Sequence, residues 1–249
     1  MSELALVVTA SGHYQVFLPA LVASAEAHVT GLDHVYVLSE TRPDFPAGTP
    51  VTWLPWGHGP WPFATLMRAR ALTAYADVLS TSRRLLQCDA DMRFVGPVDL
   101  TAIDGIVAVE HPIYVGAPVA ALPYETRPAS RATLPPGSDT RYVAGGVQGG
   151  TTDEYLHACA VMAAWIQADL DDGIIPIWHD ESMWNRYCAE FPPAAVLDSS
   201  YCRPDTDPGP APRILALTKD HAVMRDQPRP SWRRTRRAAR GVRSRFGRR

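Results

Sequence analysis

The sequence lacks a long uninterrupted apolar run. Its first apolar stretch, Leu4–Val8, is far too short to cross a lipid bilayer, so we expect neither a secretory leader nor a membrane anchor. Cysteine is also scarce, and the four cysteines show neither paired nor zinc-like spacing: Cys88, Cys159, Cys188 and Cys202. We therefore expect reduced thiols in a cytoplasmic protein rather than a disulfide framework or a zinc site.

Acidic side chains are missing from residues 227–249, which hold ten arginines. Residues 1–226 carry 14 basic against 26 acidic side chains and hence a net charge of −12, which the whole-chain value of −2 conceals. The basic tail suits peripheral contact with anionic lipid, and a disordered solubilising end fits its composition equally well. We expect no nucleic-acid partner, because the acidic body would repel phosphate and only Trp232 and Phe246 accompany the arginines.

Strand-like and helix-like patterns alternate along the chain. A length of 249 residues fits one large domain or two closely joined halves. The patterns predict strands at Leu4–Ala10, His34–Ser39, Val51–Leu54, Arg83–Cys88, Ile106–Glu110 and Arg213–Thr218, and helices at Tyr14–His28, Phe63–Leu79 and Thr152–Leu170. This order is typical of an α/β fold with a mostly parallel sheet, which binds ligands at the carboxyl ends of its strands. Ser11–Tyr14 and Asp89–Asp91 fall at such ends.

One run, Trp178-His179-Asp180-Glu181-Ser182, places two adjacent carboxylates before a helical segment. Pro176 disfavours helix at Ile175, so the helix is expected to begin near His179. Backbone N–H groups and the dipole at a helix start favour negative charge, and we therefore expect Asp180 and Glu181 to be ionised at neutral pH. Such a pair suits a ligand-orienting acid beside a nucleophile or charge-stabilising carboxylate. Taken alone, such a pair is more commonly an ordinary helix start.

An Asp-x-Asp pattern occurs three times, at Asp89/Asp91, Asp169/Asp171 and Asp205/Asp207. Asp169 is predicted on the surface at a helix end and Asp205 on the surface of a proline-rich loop. Asp89 and Asp91 instead end a buried strand, where two uncompensated carboxylates would be costly. Their hard oxygen atoms suit Mg²⁺ or Mn²⁺ holding a diphosphate, and a solvated turn at the strand end is the alternative.

Several cations and glycines complete the set of candidate residues. Arg68 suits a phosphate or carboxylate clamp, although a helix-surface arginine is the commoner case. The cluster Lys219, His221 and Arg225 suits neutralisation of a diphosphate and is also compatible with ordinary surface charge. The glycines of Tyr142–Gly150 either form turns or let the backbone approach a sugar.

With these residues in place, the chain resembles glycosyltransferase family 6, the family of the histo-blood-group A and B transferases and the α-1,3-galactosyltransferases. The most specific parts are the Trp-His-Asp-Glu-Ser run at residues 178–182, followed by Asn185 and Tyr187, and the stretch Cys88-Asp89-Ala90-Asp91-Met92. Supporting parts are His111-Pro112, Tyr124-Glu125 with Arg127-Pro128, Gly145-Gly146 with Gly149-Gly150, and Lys219 with His221 and Arg225.

The resemblance runs from about Val8 to Arg225 and implies a GT-A type fold, with two abutting Rossmann-like halves over one mixed, mostly parallel sheet. It implies a single catalytic domain over residues 1–226. Its nucleotide-binding half spans about 1–100, its acceptor-binding half and closing C-terminal segment about 101–226, and the basic tail occupies 227–249. We expect no anchor or stem, and in this the chain resembles the short bacterial or viral members.

The implied reaction moves N-acetylgalactosamine or galactose from a UDP donor to the 3-OH of a terminal β-galactoside, in an α-1,3 linkage with retention of anomeric configuration. The family's donor-binding positions fall on Thr9, Ala10, Tyr14, Arg68, Asp89, Asp91, Ala144, Gly145, Gly146, Asp180, Lys219 and Arg225. By resemblance, Asp89 and Asp91 hold Mn²⁺, with Mg²⁺ as the other metal that suits them. Lys219 and Arg225 close over the diphosphate, and glycine at 146 goes with the larger N-acetyl group.

The resemblance also assigns the acceptor side. His111, Trp178 and Glu181 match acceptor-contacting positions, and Glu181 also matches the family's proposed nucleophile. The chain departs from the family at Thr9-Ala10-Ser11, where a more hydrophobic uridine-binding triplet is usual, and at Pro123, where threonine is usual. Val147-Gln148 replaces an aromatic pair. A metal-dependent UDP-sugar hydrolase and an inactive carbohydrate-binding homologue are the alternative functions.

Overall fold

The computed structural model describes residues 2–57, 59–138 and 141–225. The chain divides into two compact units, Met1–Thr218 and Lys219–Arg249. The arginine tail predicted at 227–249, and with it the predicted membrane contact, lies outside the described residues. None of the helices in the described part of the chain has the length and apolar character needed to cross a membrane.

The first unit alternates strands with helices, as the sequence pattern predicts. Its strands are β1 (Ser2–Thr9), β2 (Leu32–Ser39), β3 (Val51–Pro55), β4 (Ser82–Asp89), β5 (Met92–Phe94), β6 (Ile106–Val109), β7 (Val147–Thr151), β8 (Ala195–Leu197), β9 (Arg203–Pro204) and β10 (Ile214–Ala216). Its helices are α1 (Leu18–His28), α2 (Phe63–Leu66), α3 (Arg68–Ala74), α4 (Ala76–Leu79), α5 (Thr152–Asp171) and α6 (Asp180–Glu190). A short helix, α7 (His221–Met224), belongs to the second unit.

Seven strands form one sheet in the order β3-β2-β1-β4-β7-β6-β8. All neighbours are parallel except β7, which is antiparallel to both β4 and β6. The expectation of a mixed, mostly parallel α/β sheet of the GT-A type is confirmed. Thr9 pairs with Leu38 on one side and Asp89 on the other, so β1, β2 and β4 end at the same edge of the sheet. A separate three-stranded sheet has the order β5-β10-β9.

Both faces of the large sheet are covered. Ala5 and Val7 of β1 belong to the core on the face covered by α3, α5 and α6, whereas Leu4, Leu6 and Val8 belong to the core on the face covered by α1. A strand buried on both faces needs apolar side chains at successive positions, which explains the continuous apolar run at the start of the chain.

Strand β7 contains Gly149 and Gly150, which were expected either to form turns or to let the backbone approach a sugar. It lies instead in the middle of the sheet, paired with β4 and β6. A Cβ atom at Gly149 would collide with the Leu85 carbonyl oxygen, and one at Gly150 would lie 2.5 Å from the Gly105 carbonyl oxygen. Because Gly149 and Gly150 lack a Cβ atom, the backbone of β7 can approach the backbones of β4 and of Gly105–Ile106 closely.

Two other expectations about local structure were wrong. Asp169, predicted on the surface, is fully buried and accepts hydrogen bonds from the Ser130 hydroxyl (2.6 Å) and the Arg131 amide (2.7 Å). It thereby holds the loop that contains Ser130 and Arg131 against α5. The helix expected over Phe63–Leu79 is broken into α2, α3 and α4, because the backbone leaves helical geometry at Met67 and Tyr75.

Glu125 fastens the segment that leads to Ser130 and Arg131 to the residues that precede α6. Its buried carboxylate accepts hydrogen bonds from the Arg127 side chain (2.9 and 2.5 Å) and from the Ile177 amide (2.9 Å). Hydrogen bonding to Arg127, opposed by burial, lowers the pKa of Glu125 to about 2. The stabilisation that follows from this lowered pKa is complete above the ordinary carboxyl pKa and is lost as pH falls towards about 2.

We expect Glu125→Gln to lower the free energy of unfolding by about 2 kcal/mol, because the variant loses charge-assisted hydrogen bonds at a buried site. For a chain of this size, that corresponds to a fall in Tm of roughly 4–8 °C, measured by thermal unfolding at pH 7. Glu190→Gln is the matched control. Its carboxylate pairs with Arg186 one helical turn away at the surface, so its effect should stay below about 0.5 kcal/mol. Equal Tm shifts for the two variants would show that the hydrogen bonds of the buried Glu125 carboxylate do not stabilise the fold.

Candidate active site

Arg68, the first residue of α3, contacts three other parts of the fold at the carboxyl edge of the sheet. Its guanidinium forms an ion pair with Asp89 at the end of β4 and lies 3.2 Å from Asp180 at the start of α6. It also donates a hydrogen bond of 2.9 Å to the Gly145 carbonyl. Only 6% of the residue is exposed. Arg68 is thus a buried carboxylate clamp rather than a helix-surface residue.

Burial and the two carboxylates act on the pKa of Arg68 in opposite directions. Burial lowers this pKa, but the charges of Asp180 and Asp89 outweigh burial and the net pKa is raised, so the guanidinium stays charged. Burial also raises the pKa of Asp180 to about 6, against the attraction of Arg68. The buried Asp180 carboxylate therefore lies in direct contact with the charged guanidinium of Arg68.

Glu181 points at the turn that precedes β7. Its carboxylate accepts a hydrogen bond of 2.7 Å from the Tyr142 hydroxyl on Oε1 and one of 2.8 Å from the Gly145 amide on Oε2. Burial nevertheless raises the pKa of Glu181 to about 7, and these hydrogen bonds offset only part of that rise. The expectation that a helix start keeps Glu181 fully ionised at neutral pH does not hold, since burial outweighs the helix terminus.

The turn at Gly145 and Gly146 connects the two acidic groups. The Gly146 carbonyl accepts a hydrogen bond of 2.9 Å from the Asp89 amide, while the Gly145 amide donates to Glu181. A Cβ atom at Gly146 would lie 2.7 Å from the Met92 Cε and 3.1 Å from Asp89 Oδ2, and one at Gly145 would lie 2.9 Å from the Glu181 Cβ. The glycines are needed because both acids pack directly against this turn, which places Asp89 and Glu181 in one site.

Aromatic rings surround the Glu181 side of the site. The ring of Tyr142 lies 5.6 Å from that of His111, 5.1 Å from that of Tyr114 and 5.2 Å from that of Tyr124, measured between centroids. Burial lowers the pKa of His111 to about 4, so this imidazole is neutral at physiological pH. Trp178, whose carbonyl accepts from the Glu181 amide, is 46% exposed. Both predicted acceptor-contacting residues thus lie near Glu181.

The remaining predicted donor positions follow the same sheet edge. Thr9 is in register with Asp89, and the amide of the next residue, Ala10, donates to the Leu38 carbonyl (2.9 Å). Tyr14 lies in a short 3₁₀ helix at Gly12–Phe17 that follows β1.

Four further predicted residues lie near the Asp89 turn or in the second unit. Ala144 is buried immediately before the glycine turn, and Asp91 is 2% exposed. Lys219 and Arg225 belong to the second unit, and their role over the diphosphate stays a prediction.

The donor atoms of Asp89 and Asp91 fit a hard divalent cation. Within residues 2–57, 59–138 and 141–225, no group of three or more histidine, cysteine or acidic side chains is placed to hold a metal ion. Two carboxylates still suit Mn²⁺ or Mg²⁺ when diphosphate oxygens and water supply the other ligands. Arg68 pairs with Oδ1 of Asp89, so Oδ2 is the oxygen that would serve a cation.

Two positioning residues were not predicted as part of the site. Tyr142 was noted only as the start of a glycine-rich segment, and no spacing pattern relates it to Glu181. Asn185, part of the motif that carries the resemblance, had no assigned role. Its side chain accepts from the Val143 amide (2.9 Å) and donates to the carbonyls of Val143 (2.8 Å) and Glu181 (2.9 Å). It therefore fixes α6 to the strand segment that carries Tyr142.

Comparison with known proteins gives a match over nearly the whole chain. Residues 2–227 match the sequence profile of Glycosyltransferase family 6. Histo-blood group ABO system transferase 1 of Rattus norvegicus is 26% identical, with 90% of this chain and 69% of the relative covered. Globoside alpha-1,3-N-acetylgalactosaminyltransferase 1 of Homo sapiens is 28% identical, with coverages of 88% and 67%. Alpha-1,3-galactosyltransferase 2 of Homo sapiens is 28% identical, with coverages of 67% and 51%.

Proposed function

The chain belongs to glycosyltransferase family 6 and is a glycosyltransferase, and from this premise we propose that it transfers N-acetylgalactosamine, or galactose, from a UDP donor to the 3-OH of a terminal β-galactoside, in an α-1,3 linkage with retention. The observation that carries the proposal is the single turn that hydrogen-bonds to both Asp89 and Glu181. Because one turn contacts both acids, it supports a single site in which Asp89 would serve the diphosphate and Glu181 the sugar.

On the donor side, Asp89 and Asp91 would hold a divalent cation together with the diphosphate. When bound, that cation offsets the negative charge that grows on the departing UDP. Arg68 keeps Asp89 in a fixed orientation through their ion pair, and it holds Asp180 in place for the donor sugar. The proposed roles of Asp89 and Asp180 both depend on the buried guanidinium of Arg68.

On the sugar side, Glu181 supplies the negative charge that the cationic anomeric centre needs. The Tyr142 hydroxyl and the Gly145 amide fix both of its oxygens, so the carboxylate meets the sugar in one orientation. Retention is compatible with two routes: Glu181 attacks the anomeric carbon, or it stabilises an oxocarbenium-like state while the acceptor enters on the face that UDP leaves. Both routes require the ionised carboxylate.

The choice of sugar rests on Ala144, Gly145 and Gly146. A Cβ atom at Gly146 would lie 2.7 Å from Met92 Cε and 3.1 Å from Asp89 Oδ2, so a larger residue here would require both side chains to shift. By resemblance, glycine here leaves room at C2 of the donor sugar. We therefore propose a preference for UDP-N-acetylgalactosamine over UDP-galactose.

The test supplies the two UDP-sugars in competition, with a β-galactoside acceptor, after chelation by EDTA and again after addition of Mn²⁺. We expect the N-acetylgalactosaminyl product to dominate, and chelation to lower the rate by about 100-fold or more, because loss of a charge-stabilising group costs several kcal/mol in the transition state. An unchanged rate in EDTA would show that the reaction does not need a divalent cation. UDP release that no acceptor accelerates would show a hydrolase, and no reaction with either donor would contradict transfer.

A further inference from the structure

Gln148 is a buried polar residue in the interior of the large sheet. It is the second residue of β7, and only 3% of it is exposed. An aromatic pair is usual in the family at positions 147 and 148, so the side-chain amide is a feature of this chain. Burying an amide is unfavourable unless its polar atoms are hydrogen-bonded. The contacts of Gln148 therefore show what a polar side chain does at this position.

Both ends of the Gln148 amide have a partner. Nε2 donates a hydrogen bond of 2.9 Å to the Gly145 carbonyl, and Oε1 accepts one of 3.3 Å from the Tyr155 hydroxyl on α5. The contact with Tyr155, which is 1% exposed, orients the amide so that its N–H group faces Gly145. The Gly145 carbonyl also accepts from the Arg68 guanidinium over 2.9 Å. Two buried side chains thus hold one carbonyl oxygen.

That carbonyl lies between the two peptide groups that contact the acids. The N–H group that donates to Glu181 belongs to the Ala144–Gly145 peptide, and the carbonyl that accepts from the Asp89 amide belongs to the Gly146–Val147 peptide. The carbonyl held by Gln148 is part of the peptide between them. Rotation of this central peptide would change the direction of both neighbouring groups.

Glycine gives this turn a backbone freedom that other contacts must remove. Cβ atoms at Gly145 and Gly146 would lie 2.9 Å from the Glu181 Cβ and 2.7 Å from the Met92 Cε, so larger residues could stiffen the turn only by moving these side chains. Glycine also loses more conformational freedom on folding than any other residue. Hydrogen bonds to the central carbonyl restrict the turn before a substrate binds, which is the condition for a preorganised site.

We propose that Gln148 is a positioning residue for the reaction: its amide fixes the Gly145–Gly146 peptide and, through it, the hydrogen bond from the Gly145 amide to Glu181. This inference rests on the proposed function for the role of Glu181 at the anomeric centre. Burial raises the pKa of Glu181 to about 7, and among the contacts that lower this pKa the Gly145 amide has the largest effect. Loss of the Gln148 amide should therefore raise the pKa further and leave less of the carboxylate ionised at neutral pH.

The test replaces Gln148 by methionine, which keeps the length of the side chain and removes both hydrogen bonds. Gln148→Met should lower kcat by roughly tenfold at pH 7, and by less at pH 8.5, while the Kd for UDP stays within about twofold. The pKa of Glu181, followed by carbon-13 NMR of its carboxyl group in the protein without substrate, should rise by roughly half a unit or more. Asp180 and Asp89, whose charges also raise this pKa, are unchanged in the variant.

Thr152→Val is the matched control for stability. The buried Thr152 hydroxyl donates to the carbonyl of Ser82, the first residue of β4, over 2.6 Å, so this variant also loses a buried hydrogen bond to a backbone carbonyl. Both variants should lower Tm by a few degrees, but Thr152→Val should leave kcat and the pKa of Glu181 unchanged. Tyr155→Phe is a second, milder variant. It should lower kcat by about two- to threefold by itself and have no further effect in Gln148→Met, because its hydroxyl acts through Gln148.

An unchanged titration of Glu181 in Gln148→Met would overturn the proposal, and so would an unchanged kcat in a protein that transfers sugar. Equal losses of kcat in Gln148→Met and Thr152→Val would also overturn it, since the effect would then follow stability alone. If the unmodified protein transfers no sugar but the titration of Glu181 shifts in Gln148→Met and not in Thr152→Val, the positioning of Glu181 by Gln148 is supported and the proposed function fails.

Discussion

Glu181→Gln is expected to lower kcat by about 1,000-fold or more while leaving the Kd for UDP within about twofold. The variant removes the negative charge that faces the anomeric centre in either route, nucleophilic or charge-stabilising. It should fold normally, because the Tyr142 hydroxyl can accept from the new amide and the Gly145 amide can donate to its carbonyl oxygen. The loss of activity therefore reports on charge rather than on local unfolding.

Tyr142→Phe is the matched control for this experiment. It removes one hydrogen bond to Glu181 and keeps the carboxylate, so kcat should fall by roughly tenfold only. Turnover is followed with the preferred UDP-sugar and a β-galactoside, and UDP binding by calorimetry. Near-normal turnover of Glu181→Gln would remove this residue from the mechanism. Weakened UDP binding in Glu181→Gln would place its main role on the donor diphosphate.

Strands β1 and β2 could be predicted from sequence because both of their faces are buried and their central residues therefore form uninterrupted apolar runs. The shorter stretch Leu85-Leu86-Gln87-Cys88 before Asp89 indicates both strand β4 and the edge at which its carboxylate emerges. Strand β7 could not be predicted in this way. Gly149 and Gly150 have low strand propensity, and they occur there because neighbouring backbones approach too closely for a Cβ atom. Such an approach is a property of the folded sheet and leaves no local pattern.

The errors in the charged residues have a common physical cause. The helix-start argument for Glu181 uses only its neighbours in the chain, whereas its raised pKa comes from burial by distant segments. Asp169 was predicted at the surface because it ends a helix, yet a loop far away in sequence covers it. Burial depends on tertiary packing, so the identities of candidate acids could be predicted but not their protonation or exposure.

The contacts that join Asp89 to Glu181 could also not be predicted from local sequence patterns. The sequence predicted both residues as parts of one site, mainly by resemblance, but it did not predict what joins them. The structure shows the joining elements to be the Gly145–Gly146 turn and the Arg68 guanidinium. Arg68 therefore contributes both to the stability of the site and to its proposed chemistry, and replacing it should affect both.

Arg68→Met is expected to leave Asp89 and Asp180 without their shared cation. Loss of one partner of a buried ion pair costs about 3–5 kcal/mol, which corresponds to a fall in Tm of roughly 6–20 °C for a chain of this size. Turnover should fall by about 100-fold or more, since Asp180 and the metal-binding acid both lose their orientation. Arg68→Lys keeps one charge but cannot place two N–H groups on two carboxylates at once, so it should recover part of the Tm and little of the turnover.

A double variant separates these two effects. Adding Asp180→Asn to Arg68→Met removes one of the stranded charges, so Tm should rise above that of Arg68→Met alone, while turnover stays low. Arg70→Lys, an exposed position on the same helix that donates to Gln167, is the control and should change neither quantity measurably. If Arg68→Lys had the Tm and turnover of the unmodified protein, the two-carboxylate clamp would not be what organises the site. If the double variant regained turnover with its stability, Arg68 would act only through folding.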